Sequence, residues 1–207
     1  MAIPRWLRLL SGTWYPWNHK AITSRLRPLT FRPAREEDFA WCVSLLEKNE
    51  AHGVPANHGE RYLENLRFGT QITMIAEDET GPIGTFGLNW LNNEVAWLSY
   101  VLVDPNVQRS GVGTTMLLGS LSLLRRDGHQ QHLMLGALES SLPFYQRLGF
   151  VYTGMDQTDG NPYLQAALGP ISPRLVRDCD KLLRKAGVQL PDLRAEVPME
   201  SAAPLPC

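Results

Sequence analysis

The chain has 207 residues, with 20 lysines and arginines against 21 aspartates and glutamates and a formal charge of −1. A chain of this length can bury a full core without metal or disulfide support. Its three cysteines, Cys42, Cys179 and Cys207, share no metal-ligand spacing, which points to a reducing, cytoplasmic setting. No apolar run approaches the ~18 residues of a membrane span. Seven basic residues precede the first acid, Glu36, leaving 13 against 21 acids beyond it, a net of −8 that disfavours nucleic acid as a partner.

Residues 1–28 form an arm in which Arg5, Arg8, Lys20, Arg25 and Arg27 mix with Trp6, Trp14, Tyr15 and Trp17. Such a segment could make a peripheral membrane contact, address an organelle, or pack over the domain. A domain is expected over 29–169. It opens with a strand at 29–33 and a helix at 36–50, with Phe39, Val43 and Leu46 on one face and three acids at its positive end. A loop over 49–57 precedes a short helix at 60–68 carrying Tyr62, Leu63 and Leu66. Strands follow at 71–77 and 83–90, joined by a Glu-Thr-Gly-Pro turn, and a central strand at 94–103.

A long helix is expected from about Gly113 to Arg126, then a buried strand at 132–138. Ser140 or Ser141 can cap a short helix, with Pro143 in its first turn and Gly149 closing it. Two further strands lie near 150–153 and 162–168. Ser172-Pro173 starts a helix, and Leu175, Val176, Cys179, Leu182, Leu183 and Ala186 repeat at helical spacing. Residues 170–187 thus form an amphipathic helix for docking on the domain or on a partner. The tail, 188–207, holds Pro191, Pro198, Pro204 and Pro206 and is expected to be disordered.

The most informative segment is Val101-Leu-Val-Asp-Pro-Asn-Val-Gln-Arg-Ser-Gly-Val-Gly113, an apolar strand, a glycine loop and a helix start. That order presents bare N–H groups and a positive helix end to an anion. Gly111 and Gly113 leave the main chain open to close approach by a pyrophosphate. Met116 stands where a dinucleotide loop needs its third glycine, and no lysine lies between Lys48 and Lys181 for a nucleotide triphosphate loop.

What remains is Gln-x-x-Gly-x-Gly at Gln108, Gly111 and Gly113. With Phe144-Tyr-x-x-Leu-Gly-Phe150 downstream and Phe31-Arg-Pro-Ala-Arg-Glu-Glu-Asp38 upstream, it resembles the GNAT superfamily of N-acetyltransferases over roughly 29–168. The resemblance implies an α/β GNAT fold. Its central sheet is mixed but mostly antiparallel, splayed between strands 4 and 5, with helices on both faces. It also implies acetyl-CoA as acyl donor and no metal. Pantetheine would contact the main chain of Leu102 and Val103. The pyrophosphate would meet Gln108, Arg109, Ser110, Gly111, Val112, Gly113 and Thr114. Tyr145 matches the tyrosine that protonates the departing thiolate.

Residues for the acceptor are less legible. Glu94 and Glu139 are candidate bases at strand ends, and His52 and His58, in the loop that borders the acceptor side in the family, are candidates for a base or a pH-sensitive contact. The loop from Glu50 to His58, with Phe86, Trp90, Trp97 and Tyr100, suggests a partly apolar pocket. The expected reaction is direct attack by a primary amine of a small or amino-acid-like molecule, in a monomer or homodimer. A silent acyl-CoA sensor and a membrane-associated adaptor are the alternatives.

Overall fold

The computed structural model describes residues 24–56, 58–69, 71–91, 94–124, 131–155 and 163–193. Seven strands form one sheet: β1 (Thr30–Pro33), β2 (Ile72–Asp78), β3 (Gly81–Trp90), β4 (Val95–Val103), β5 (Gln131–Ala137), β6 (Val151–Met155) and β7 (Leu164–Ile171). Their order is β1-β2-β3-β4-β5-β7-β6. Only β4 and β5 run parallel; every other neighbouring pair is antiparallel.

Helices α1 (Phe39–Glu50) and α2 (Gly59–Phe68) cover one face of the sheet. Helices α3 (Val112–Leu123) and α5 (Pro173–Lys185) cover the other, and the short α4 (Leu142–Arg147) follows β5. None of the described helices is long and apolar enough to cross a membrane.

The buried stripe of α1 is Cys42, Leu45, Leu46 and Asn49, at i, i+3, i+4 and i+7. It is turned from the face expected from sequence, leaving Phe39 and Val43 at its flank. The cause is Asn49, a polar residue placed inward because its amide donates to the Leu45 carbonyl at 2.8 Å and the Val103 carbonyl at 3.3 Å. Helix α3 is buried on nearly all sides, because the sheet lies beneath it and α5 packs over it.

The link from β1 into α1 is fixed by charge. Both terminal guanidinium nitrogens of Arg32 donate to Asp38, at 2.6 and 2.8 Å, and the Arg35 amide donates to the same carboxylate at 2.8 Å. The hydrogen bond from Arg32 holds the Asp38 carboxyl below its ordinary value of 3.8. Its contribution is therefore complete above that value and is lost as pH falls through the depressed one. Asp38→Asn is expected to cost about 1–3 kcal/mol at neutral pH. Denaturant unfolding should show the gap between variant and parent closing in acid.

Helix α5 docks on its own domain. The Ser172 hydroxyl accepts from the Leu175 amide at 3.2 Å, and Leu175, Val176, Cys179, Leu182 and Leu183 are buried in the larger core. The start of the tail departs from the disorder expected of 188–207. Val188 and Leu193 are buried, the Gln189 amide donates to the Leu29 carbonyl, and the Phe31 amide donates to the Gln189 carbonyl, both at 2.9 Å. An open strand edge offers bonding groups to any extended segment, and composition alone does not register that. Residues 194–207 of the tail and 1–23 of the arm lie outside the described residues.

Candidate active site

Strands β4 and β5 pair from Val95–His132 to Leu98–Leu135 and then part. On its other side β4 loses register with β3: Thr85 faces Leu102 while Gly87 faces Ser99, so β4 carries an extra residue. The strain falls on Tyr100, a non-glycine at φ 46°. Its ring is held by stacking on Tyr62 at 4.1 Å, and its hydroxyl accepts from the Asn65 amide at 3.2 Å.

Beyond the bulge, the Asp104 amide donates to the Ile83 carbonyl. Antiparallel alternation then turns Leu102's main-chain groups toward β3 and Val103's toward the splay. A cofactor entering the splay would meet Val103, whereas Leu102, expected from sequence to share that contact, has its polar groups in the β3 ladder. The Val103 carbonyl already accepts from Asn49 and from Gln108, each at 3.3 Å, and Gln108 also donates to Asn49 at 3.1 Å. Gln108 therefore ties the loop to the strand end and to α1.

After Gln108, Arg109 (φ 61°) and Gly111 (φ 97°) bend the chain into α3. Ser110 donates to the Val107 carbonyl at 2.6 Å. The Thr115 amide donates to the Gly111 carbonyl at 3.0 Å, so the amides of Val112, Gly113 and Thr114 precede the first helical bond. This is a helix N-terminus beside the splay, suited to an anion.

The two glycines serve different ends. A Cβ on Gly111 would lie 1.6 Å from the Arg25 carbonyl oxygen, so the approach that glycine permits there is by the chain's own arm. A Cβ on Gly113 would meet Phe144 at 3.7 Å and Val103 at 4.0 Å, ordinary contacts on the splay side. Arg27 completes the strap: its amide donates to Thr115, its guanidinium donates to Ser110 at 3.3 Å, and it pairs with Asp78 at 3.0 Å.

Tyr145 is buried on α4, edge-on to Phe144 at 5.0 Å and to Phe150 at 5.6 Å. Gly149, at φ 93°, turns the chain out of the helix into β6. Burial raises the Tyr145 hydroxyl above its ordinary value, so it stays protonated throughout neutral and mildly alkaline pH.

The α1–α2 face carries the residues expected from sequence to border the acceptor. Ser99 donates to Gln71 at 2.7 Å, and Gln71 donates to Thr73 at 3.2 Å. A Cβ on Gly136 would meet Tyr163 at 3.3 Å and Trp97 at 3.8 Å, and Tyr163 in turn approaches His58. The α1–α2 loop crosses to the end of β5, where Gly53 packs near Leu138. His52 is exposed in that loop. Glu139 is exposed just past β5, at the open end of the splay. Glu94 stands before β4, where its carbonyl accepts from His132, about 20 Å of strand from Tyr100.

The sequence model of the acetyltransferase (GNAT) family matches residues 42–150, more than half the chain. The chain belongs to the GNAT acetyltransferase family. No curated protein is significantly similar in sequence. Among solved structures, one titled histone acetyltransferase HPA2 and related acetyltransferase, from Corynebacterium glutamicum, is 19% identical with a TM-score of 0.55, covering 70% of this chain and 98% of that one. The PaiA N-acetyltransferase of Thermoplasma acidophilum, in complex with coenzyme A, is 15% identical at 0.55, covering 67% and 97%. A chimera of the Vibrio cholerae spermidine N-acetyltransferase SpeG is 17% identical at 0.54, covering 68% and 93%. At such identities the likeness is one of fold.

The GNAT sheet brings Val103, Gln108, Gly113 and Phe144 together at the open end of β4, with Tyr145 beside Phe144 on α4, and leaves Glu94 at the paired end. Sequence reasoning missed Asn49, whose signal was a polar residue in an apolar helical stripe. It also missed Gly136 and Tyr163, which meet only because β7 returns beside β5. Among the described residues no histidine, cysteine or acid cluster could hold a metal ion.

Proposed function

We propose that this GNAT-type N-acetyltransferase moves an acetyl group from acetyl-CoA to the primary amine of a small or amino-acid-like molecule, by direct attack in a ternary complex. The observation that carries the reading is the splay, with the open first turn of α3 at one end and Trp97, Ser99 and Tyr163 on the α1–α2 face. In this reading the pantetheine arm runs along Val103, the pyrophosphate sits on the amides of Gln108 to Thr114, Arg109 adds a cation, and Tyr145 donates to the leaving sulfur.

Direct attack is favoured over an acetyl-enzyme by the state of the two described thiols. Burial pushes the Cys42 thiol up to about 11 and raises Cys179 further, so neither is a ready nucleophile. Buried free thiols also suit the cytoplasm. In this reading the amine approaches from the α1–α2 face, where Tyr100 stacks on Tyr62 and His52 is exposed in the connecting loop. The spermidine enzyme among the structural neighbours makes a polyamine one class to try, and amino acids are the other.

The test is calorimetric titration with acetyl-CoA, followed by a spectrophotometric thiol-release screen over primary amines. Micromolar binding with amine-dependent release of CoA supports the reading. Binding without turnover on any amine would instead identify an acyl-CoA sensor.

A further inference from the structure

The reaction needs a proton acceptor for an incoming ammonium, and neither glutamate expected from sequence reaches the throat of the splay. Glu94 is at the far end of β4, and Glu139 lies past the end of β5, exposed at the cofactor end. Pairing between β4 and β5 ends at Leu98 and Leu135, so Ser99 and Gly136 flank the first open position. Ala96 and Leu98 pack in the α3–α5 core, so Trp97 and Ser99 point to the α1–α2 face. Gly136 is bare on that same face, and what stands over it is Tyr163.

The Tyr163 hydroxyl lies 3.5 Å from His58 Nδ1, with the rings 6.1 Å apart. His58 opens α2, as its N-terminal boundary residue, without making a side-chain cap. The ring is thus not committed to holding the helix. A contact of 3.5 Å is long, as such contacts often are before substrate tightens them.

We propose that Tyr163 and His58 form the proton exit of the acceptor site: the Tyr163 hydroxyl takes the ammonium proton while passing its own to His58 Nδ1. This rests on the acetyl-transfer reading above. Burial holds the Tyr163 hydroxyl above its ordinary value, a trend reinforced by Tyr100 and opposed by Arg61, so tyrosine relays and histidine receives. The neutral amine then forms the C–N bond as the C–S bond breaks. Of the two protons nitrogen sheds, His58 passes the first to solvent and is free to take the second. The sulfur is protonated from Tyr145, which solvent reprotonates.

The test compares the parent protein with His58→Gln, Tyr163→Phe and the double variant, on a panel of alkylamines and arylamines. Alkylamines arrive protonated and must lose a proton before attack, whereas arylamines arrive neutral and shed only the strongly acidic proton of the attached nitrogen, which water can accept. Each single variant should lose about 100-fold in kcat with alkylamines and less than about threefold with arylamines. The double variant should lose no more than the singles. Acetyl-CoA affinity should stay unchanged, and added imidazole should restore alkylamine turnover to His58→Ala.

Equal losses on both amine classes, full alkylamine turnover in His58→Gln, or a parent enzyme confined to arylamines would overturn the proposal and leave acetyl transfer standing. Where the parent acetylates only alkylamines, absence of imidazole rescue overturns it. A parent that binds acetyl-CoA and acetylates no amine overturns the transfer reading and this inference with it.

Discussion

Gly113→Glu is expected to abolish acetyl-CoA binding while leaving the protein folded. The new side chain would start in ordinary contact with Val103 and Phe144, with no backbone in its way. A carboxylate in the first turn of a helix is favourable to the helix itself. It would, however, set a negative charge against the first-turn amides where the pyrophosphate is proposed to sit. A loss of about 100-fold or more, roughly 2.7 kcal/mol, is expected by calorimetry, with an unchanged thermal melt.

Gly111→Ala should behave in the opposite way. Its Cβ would collide with the Arg25 carbonyl, and its φ of 97° is strained for alanine. A cost of about 2–4 kcal/mol in stability is expected. A Gly113→Glu protein that binds acetyl-CoA normally would remove α3 from the cofactor site.

Tyr145→Phe is expected to lower kcat by about ten- to a thousandfold. The substitution removes one oxygen and keeps the ring contacts with Phe144 and Phe150, so the fold and the KM for acetyl-CoA should change little. Burial raises the hydroxyl, so its proton is retained to higher pH than that of a solvated tyrosine. Any alkaline fall in turnover through Tyr145 therefore belongs above about pH 10, the ordinary tyrosine value. A phenylalanine variant with full turnover across the pH range would show that solvent protonates the sulfur.

These two residues were legible in the sequence for a shared reason: glycine where the chain must bend or be approached, and an aromatic run ending in glycine, are local constraints. The same local reading merged Gly111 and Gly113 into one role, because it could not know that Arg25 returns over the loop. It rotated the buried face of α1, since Asn49 earns its inward place from the Val103 carbonyl, a residue 54 positions away. The bulge at Tyr100 left no mark in composition. Its strain is held by Tyr62 and Asn65 on a helix that only the tertiary fold brings near. Tyr163 was invisible for a similar reason, because its place over Gly136 depends on the strand order β5-β7-β6.

The pairing of Gln189 with Leu29 and Phe31 makes the segment after α5 a guard on the outer edge of the sheet. Ending the chain at Gly187 would look like trimming a proline-rich tail, yet it would uncover the Phe31 amide and the Leu29 carbonyl together. It would also expose core surface that Val188 and Leu193 now fill. An unguarded strand edge beside apolar surface invites pairing between molecules. Such a shortened protein should self-associate in light scattering, whereas one ending after Leu193 should stay dispersed.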